Sequence, residues 1–153
     1  MAQAVIRPAR PADLEALVAL LRMLFAVEAD FDFDAARQRQ GLAMLLAQET
    51  AVILVAEAEG LVVGMCSGQS IISTAEGGFA LLVEDVVVAE PWQGKGVGRE
   101  LLAALEQWAA ARKIGRLQLL ADRNNAAALE FYRKLGWQGT ELVCRRKRIE
   151  EGE

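Results

Sequence analysis

The spacing of apolar residues changes along the chain from helical to strand-like and back, and these changes predict the elements. From Leu14 to Phe25 apolar side chains recur at helical spacing, and the preceding Pro11–Asp13 is typical of a helix start. A polar, acidic connection, Glu28–Asp34, leads to a second helix that ends near Gln48. Apolar runs separated by glycine-containing turns then predict consecutive strands, at residues 51–58, 61–73 and 79–88.

The remainder of the chain predicts two more helices and the rest of a sheet. Residues 96–113 place apolar side chains on one face of a helix, and residues 125–135 form a helix that Gly136 ends. Further short strands are predicted at residues 4–8, 116–121, 137 onward and 142–148. We therefore predict one α+β (α/β-like) domain over residues 1–153, with a mixed sheet of six to seven strands flanked by four helices.

The composition is typical of a chain that folds around a hydrophobic core in aqueous surroundings. Hydrophobic residues make up 54% of the 153 positions, yet no apolar stretch is long enough to cross a bilayer, and residues 7–13 lack the apolar centre of a signal peptide. Cys66 and Cys144 lie in apolar, strand-like runs, which favours two buried reduced thiols over a disulfide. We expect a cytoplasmic protein without a membrane partner.

Charge and residue types exclude several chemistries. The chain has no histidine, which removes Ser–His–Asp triads and the common catalytic zinc sites, so we expect no metal. The net charge of −4 argues against a nucleic-acid partner. A basic run, Arg145–Arg148, is followed directly by acidic residues and is interpreted as a solvated strand edge.

The most informative stretch is a strand, a glycine-rich loop and a helix in succession. Gly94, Gly96 and Gly98 alternate with other residues between the buried strand and the helix. Such glycines let backbone N–H groups converge, and the helix N-terminus adds partial positive charge, as a diphosphate requires. A Walker loop would need Ser or Thr after Lys95, and a dinucleotide fingerprint would need glycine in place of Arg99. The alternative is a flexible turn with a glycine-rich helix cap.

The motifs of this stretch resemble the GNAT family of N-acetyltransferases. The family's diphosphate motif is Gln or Arg, two residues, Gly, any residue, then Gly or Ala, and the run Gln93–Gly98 matches every constrained position. A second family signature is matched by Asn125, Tyr132 and the pair Gly136-Trp137. The opening Ile6-Arg7-Pro8 is also similar to the family's usual start, so the resemblance spans nearly the whole chain.

The resemblance implies the GNAT fold and acetyl-CoA as co-substrate. It implies that main-chain groups of the strand pair with the pantetheine arm, that loop amides hold the diphosphate and that Asn125 hydrogen-bonds the pantetheine or nearby backbone. The implied cofactor-binding residues are Val86, Val87, Val88, Gln93, Gly94, Lys95, Gly96, Val97, Gly98, Arg99, Asn125 and Tyr132. Many members of the family form dimers, so a homodimer is a further expectation.

Two residues are the candidates for catalysis, Glu84 and Tyr132. Transfer by direct attack needs a neutral amine, and alkyl amines are protonated at neutral pH, so a carboxylate must accept the proton. Glu84 is the predicted base and Asp85 supports it, because adjacent strand residues point to opposite faces. The resemblance implies that Tyr132 protonates the leaving thiolate. The alternatives are strand-end carboxylates that cap a neighbouring N–H, and a tyrosine that packs on the core.

The acceptor is predicted to be a small cationic amine. In the family, the segment between the first two helices selects the substrate, and here it carries four carboxylates with two phenylalanines between them. The predicted substrate-binding residues are Glu28, Asp30, Glu84 and Asp85, and the acidic strand entry is similar to the diamine and thialysine acetyltransferases. The alternative interpretation of the segment is a solvated loop whose Asp residues cap the second helix. A non-catalytic acyl-CoA-binding domain and a peptide Nα-acetyltransferase are the alternative functions.

Overall fold

A mixed sheet with helices on both faces forms the larger part of the protein. In the computed structural model, which describes residues 3–28 and 30–150, the chain forms two compact units, one up to Leu119 and one from Leu120 onward. The elements of the first unit are β1 Val5–Pro8, α1 Leu14–Val27, α2 Ala35–Ala47, β2 Ala51–Ala58, β3 Leu61–Ser73, β4 Gly78–Val88, α3 Val97–Ala111 and β5 Leu117–Leu119.

The sheet order follows the chain order. Strands β1 to β4 pair antiparallel with their neighbours, and β5 pairs parallel with β4 after the α3 crossover. The parallel pairing is short and runs from Leu81↔Leu117 to Val83↔Leu119. Strand β4 therefore continues to Val88 beyond the residues that β5 pairs with, and five of the predicted site residues, Glu84 to Val88, lie in this continuation.

The core explains why the central strands are almost continuously apolar. On one face Ile53, Val55 and Met65 pack in a single cluster with α1 and α2. On the other face α3 packs against β2 and β3, and the Cys66 thiol lies 3.8 Å from the Leu101 carbonyl oxygen. A strand that is covered on both faces has no polar side, so its sequence does not alternate.

The second unit contains one helix, α4, Ala126–Lys134. Asn125 caps this helix, since its Oδ1 accepts the Ala128 N–H at 3.1 Å. Tyr132 lies in an aromatic group, with ring centroids 5.2 Å from Phe131 and 5.9 Å from Trp137 in edge-on arrangements.

The predicted α+β class, the mixed sheet and the four helices are confirmed, whereas the predicted strand count is too high. The described residues contain five strands, not six to seven. The strands predicted from Trp137 onward and at 142–148 are not formed, because every residue from 138 to 150 is exposed and this segment has no buried face. The prediction of a buried Cys144 is wrong for the same reason, while Cys66 is buried as predicted.

No helix among residues 3–28 and 30–150 combines the length and the apolar character that crossing a bilayer demands.

Candidate functional site

An open pocket of about 530 Å³ lies between the C-terminal end of α1 and the free end of β4. The helix contributes three apolar side chains, and the strand and the following loop contribute the rest. The lining residues are Met23, Leu24, Val27, Val86, Val87, Val88, Glu90 and Gln93. The structure therefore brings together four residues of the predicted cofactor set, the three valines and Gln93.

A β-bulge interrupts β4 directly before this pocket. Met65 pairs with Val87 and Ser67 pairs with Glu84, so one residue of β3 lies opposite two residues of β4, Asp85 and Val86. Asp85 adopts a left-handed conformation, with φ of 56°, which Asp tolerates better than most residues. The regular alternation on which the prediction of opposite faces for Glu84 and Asp85 was based therefore stops at Asp85, and that prediction stays a prediction.

A buried hydroxyl fixes the bulge in place. Ser67 is 1% exposed, and its Oγ donates a hydrogen bond to the Glu84 carbonyl oxygen at 3.0 Å. The carbonyl lies next to the register irregularity, which falls between Met65 and Ser67 on β3. The buried hydroxyl thus has an acceptor and links β3 to β4 beside the bulge.

The two carboxylates of the strand lie in different environments. Glu84 is exposed, whereas Asp85 is half-buried. Burial, together with the negative charges of Glu84 and Glu28, raises the pKa of Asp85 to about 7. A carboxyl group with a pKa in this range exchanges a proton near neutral pH, which suits general acid–base chemistry.

The glycine loop after β4 has the backbone conformation that the diphosphate prediction requires. Gly94 and Gly96 have φ values of 75° and 86°, and a Cβ built on either glycine meets no heavy atom within 4 Å. The Gln93 side chain ties the loop to the end of β4, because its Nε2 donates to the Val88 carbonyl oxygen at 2.9 Å. Lys95 lies beside Trp92, with its Nζ 5.6 Å from the ring centroid.

Backbone N–H groups at the start of α3 point out of the helix end. The helix begins at Val97, and its first helical hydrogen bond runs from the Glu100 N–H to the Gly96 carbonyl oxygen at 3.0 Å. The N–H groups of Val97, Gly98 and Arg99 precede that bond and have no carbonyl within the helix to bind. With the open space above Gly96, they fit an anion such as a diphosphate.

The acidic residues between α1 and α2 have different roles. Asp34 is the N-cap of α2, since its Oδ1 accepts the N–H groups of Ala36 at 3.1 Å and Arg37 at 3.4 Å. Glu28 is half-buried and acts electrostatically on Asp85, while Asp30 is exposed. The helix-cap interpretation thus applies to Asp34, and only Glu28 of this segment is linked by its charge to the carboxylates of β4 in the described residues.

Two predicted site residues, Asn125 and Tyr132, belong to the second unit, and their contacts are those within that unit. The side-chain oxygen of Asn125 bonds nearby backbone, which was one of the two expected roles, and its amide nitrogen carries two further N–H donors. Tyr132 is half-buried beside Trp137. Its predicted role as an acid stays a prediction.

Sequence reasoning missed Met23, Leu24 and Val27 on the helix side of the pocket, and Ser67 behind the bulge. One sequence signal for the helix residues was available, because α1 is apolar over more of its circumference than one buried face needs, and Val27 is 71% exposed. No signal marks Ser67, since a bulge depends on the register between two strands.

Comparison with known proteins identifies the family. A model of the acetyltransferase (GNAT) family matches residues 15–137. The chain is 33% identical over 143 residues to aminoglycoside N(6')-acetyltransferase type 1 of Stenotrophomonas maltophilia, covering 90% of this chain and 88% of that protein. The chain therefore belongs to the acetyltransferase (GNAT) family.

Two further similarities concern a segment and the fold. The chain is 48% identical over 64 residues to N-alpha-acetyltransferase 80 of Mus musculus, which is 42% of this chain but spans only 19% of the mouse protein. An aminoglycoside N-acetyltransferase solved in complex with coenzyme A superposes with a TM-score of 0.83 at 18% identity, covering 97% of each chain. This second similarity shows the GNAT fold.

Proposed function

We propose that the protein is an acetyl-CoA-dependent N-acetyltransferase that moves an acetyl group onto a primary amine of a small cationic substrate by direct attack in a ternary complex. The observation that carries the proposal is the pocket lined by Val86–Val88 and Gln93, which the glycine loop and the start of α3 follow directly in the chain. Family membership and a structural neighbour that holds coenzyme A support it. Residues 1–153 then form one catalytic domain.

The chain's own groups suit acetyl-CoA. The main chain of Val86–Val88 lies beside the pocket and would pair with the pantetheine arm as an added strand. The amides from Gly94 to Arg99 would hold the diphosphate, because two of these residues have the positive φ that turns N–H groups inward. Lys95 and Arg99 are exposed cations of the same loop. Asn125 and Tyr132 complete the proposed set on the family resemblance.

The acceptor is proposed to be cationic because a carboxylate lines the pocket and others lie next to pocket residues in the chain. Glu28, Glu84 and Asp85 interact electrostatically, and Glu90 lines the pocket. A cluster of negative charges attracts ammonium groups and repels anions. The relative from Stenotrophomonas maltophilia is named an aminoglycoside acetyltransferase, and aminoglycosides, diamines and thialysine-like acceptors all carry ammonium groups at neutral pH.

The proposal also includes the predicted roles of individual residues, the predicted location and the predicted homodimer. Glu84 or Asp85 accepts the amine proton, Tyr132 protonates the leaving thiolate, and Asp30 contributes to substrate binding. A cytoplasmic location is supported by two free cysteines, which suit a reducing compartment. A homodimer remains part of the proposal without a residue assigned to it.

An amine panel tests the proposal. Purified protein is mixed with acetyl-CoA and with polyamines, lysine analogues, an aminoglycoside or peptides, and the release of free thiol is followed. Calorimetry with coenzyme A measures cofactor binding in parallel. We expect coenzyme A binding and turnover of at least one multiply charged amine. Coenzyme A binding without any turnover would favour the non-catalytic acyl-CoA-binding domain, and a lack of binding would contradict both functions.

A peptide Nα-acetyltransferase is the second candidate function. The similarity to N-alpha-acetyltransferase 80 over 64 residues favours it. Two peptides that share one sequence, one with a free and one with a blocked N-terminus, separate the two functions. Turnover confined to the free N-terminus would favour the second candidate, whereas turnover of lysine side chains and polyamines would favour the first.

A further inference from the structure

We propose that Asp85, and not its neighbour Glu84, accepts the proton of the acceptor amine, and that the Ser67 hydroxyl positions Asp85 by closing the β-bulge. This inference rests on the proposed function and assigns two roles within the same site. Asp85 is here the catalytic residue, and Ser67 is a positioning residue that acts through the backbone.

The bulge determines where Asp85 lies. With φ of 56°, Asp85 leaves the regular strand path while Glu84 remains in register opposite Ser67. Asp85 is followed by Val86, which lines the pocket, and it interacts with Glu28, which follows the pocket residue Val27. Asp85 is therefore half-buried next to a pocket residue in the chain and is linked by its charge to the end of α1, whereas Glu84 is exposed.

A single side-chain hydrogen bond holds this irregularity. The bond from Ser67 Oγ to the Glu84 carbonyl oxygen, 3.0 Å long, joins β3 to β4 at the residue before the left-handed turn. Because Ser67 is 1% exposed, water cannot readily replace its hydroxyl if the side chain is removed. Loss of the bond would remove the side-chain link between β3 and β4 at the register irregularity, which favours a shift of the bulge and of Asp85 with it.

The charges around Asp85 have one sign. Glu84 on its own strand and Glu28 after α1 disfavour the carboxylate form, and Glu90 lines the adjacent pocket. The opposing strand contributes the Ser67 hydroxyl and Cys66, whose thiol pKa is raised to about 12 by burial and which stays protonated. An incoming ammonium group would therefore relieve repulsion and receive a base whose proton affinity is already raised.

The proton balance of the step is simple. The Asp85 carboxylate takes one proton from the ammonium group, giving a neutral amine and a carboxylic acid. The amine nitrogen then bonds to the thioester carbonyl carbon, the carbon–sulfur bond breaks, and the electron pair leaves on sulfur. The second proton lost by nitrogen protonates the thiolate, and Asp85 returns its proton to solvent, so that one proton is released per turnover.

The pH dependence of turnover tests the assignment of Asp85. We expect kcat/KM of the wild type to fall below about pH 7, and this fall is the acid limb of the pH profile. Asp85→Asn should lower kcat/KM about 100-fold or more and should lack the acid limb. Asn tolerates the left-handed backbone and preserves the fold. Glu84→Gln and Glu28→Gln remove like charges and move the limb to lower pH. The remote Glu49→Gln leaves the limb in place. An unchanged limb in Asp85→Asn, or its loss in Glu84→Gln, would overturn the assignment.

Thermal unfolding provides a readout that does not need turnover. The folded-state pKa of Asp85 is raised from its ordinary 3.8, so the folded protein loses stability as the pH rises from there through about 7. Asp85→Asn cannot ionise and is expected to have a higher Tm than the wild type at about pH 8, with the difference shrinking toward about pH 4. A difference in Tm between Asp85→Asn and the wild type that does not depend on pH would contradict the raised pKa of Asp85 in the folded protein.

Ser67→Ala tests the positioning role against a matched serine. We expect kcat to fall about tenfold and the acid limb to move to lower pH, since a released Asp85 gains solvent. Ser70→Ala, on the same strand but outside the bulge, should move neither. Ser67→Thr retains the hydroxyl and should restore the limb, and Ser67→Cys replaces Ser67→Ala if that variant does not fold. A lower Tm with an unmoved limb would reduce Ser67 to a structural residue.

The two levels of the proposal fail in different ways. If the wild type turns over no amine in the panel, the proposed function falls, and this inference falls with it. If the wild type is active but the Asp85 and Ser67 variants retain its pH profile, only this inference is overturned.

Discussion

At the scale of single residues, Arg7 joins the first strand to the start of the first helix. Its guanidinium nitrogens donate to both Asp13 carboxylate oxygens, at 2.8 and 3.0 Å, and its Nε donates to Glu57 at 2.6 Å. The Asp13 carboxylate also accepts the Arg10 N–H at 2.7 Å. Asp13 is 8% exposed, so its charge depends on these partners rather than on water.

Asp13→Asn is therefore expected to destabilise the protein in a pH-dependent manner. The hydrogen bonds from Arg7 lower the pKa of Asp13, so its contribution is present above the ordinary carboxyl pKa and is lost as the pH falls through the lower folded-state value. We expect a loss of about 2 kcal/mol in the free energy of unfolding near neutral pH. Urea unfolding at about pH 7 and about pH 3.5 measures the difference, which should narrow in acid.

The control for this variant is an exposed carboxylate. Asp32→Asn changes the same functional group in an exposed position, and its free energy of unfolding should remain within about 0.5 kcal/mol of the wild type. An equal loss in both variants, or a loss in Asp13→Asn that persists in acid, would contradict the role of the Arg7–Asp13 pair.

At the scale of elements, the role of the loop between β4 and α3 in binding can be distinguished from the effect of a strained backbone on stability. Gly96 and Gly77 both have positive φ, at 86° and 65°, and a Cβ on either meets no heavy atom within 4 Å. Alanine at either position should cost about 1 kcal/mol of stability, since both force a side chain into the left-handed region. Only Gly96→Ala adds an atom where the diphosphate would lie.

The expected result is a difference in binding between two equally destabilised variants. Calorimetry should show coenzyme A affinity about tenfold weaker for Gly96→Ala and unchanged for Gly77→Ala, which lies in the turn between β3 and β4. Similar weakening in both variants would trace the effect to general destabilisation. No weakening in either would remove the loop from the proposed cofactor site.

The elements that could be predicted are those with a local signal. The bounds of β2 and β3, Ala51–Ala58 and Leu61–Ser73, agree with the prediction because glycine-containing turns flank continuous apolar runs. The strand predicted at 142–148 also begins with a short apolar run, but strand formation needs in addition a partner and a buried face. Neither is encoded within the segment itself.

The candidate site was predictable where backbone conformation requires glycine. The open loop at Gly94 and Gly96 follows from the motif, because few other residues adopt positive φ without strain. The bulge at Asp85 was not predictable, since a non-glycine residue carries the positive φ and the irregularity arises from pairing with β3. The raised pKa of Asp85 depends on Glu28, which lies far away in sequence, and so required the fold.

At the scale of the whole molecule, the net charge of −4 and the acidic pocket should act on the two substrates differently. A multiply charged amine is attracted by the molecule and by Glu28, Glu84 and Asp85, and salt screens this attraction. Acetyl-CoA is an anion that, in the proposed site, directional N–H contacts and local cations would hold, so we expect no contribution to its salt dependence from attraction to the molecule as a whole.

Raising the salt concentration should therefore weaken the amine selectively. Between about 0.05 and about 0.5 M NaCl, where the screening length falls to a few ångströms, we expect the KM of a polyamine or aminoglycoside to rise roughly threefold or more. An aromatic amine that is neutral at the assay pH serves as the control and should keep its KM. Glu28→Gln should show a smaller salt effect, because one of the attracting charges is gone. A polyamine KM that does not respond to salt would mean that the acidic residues do not select the acceptor, and the cationic substrate class would have to be abandoned while cofactor binding stood.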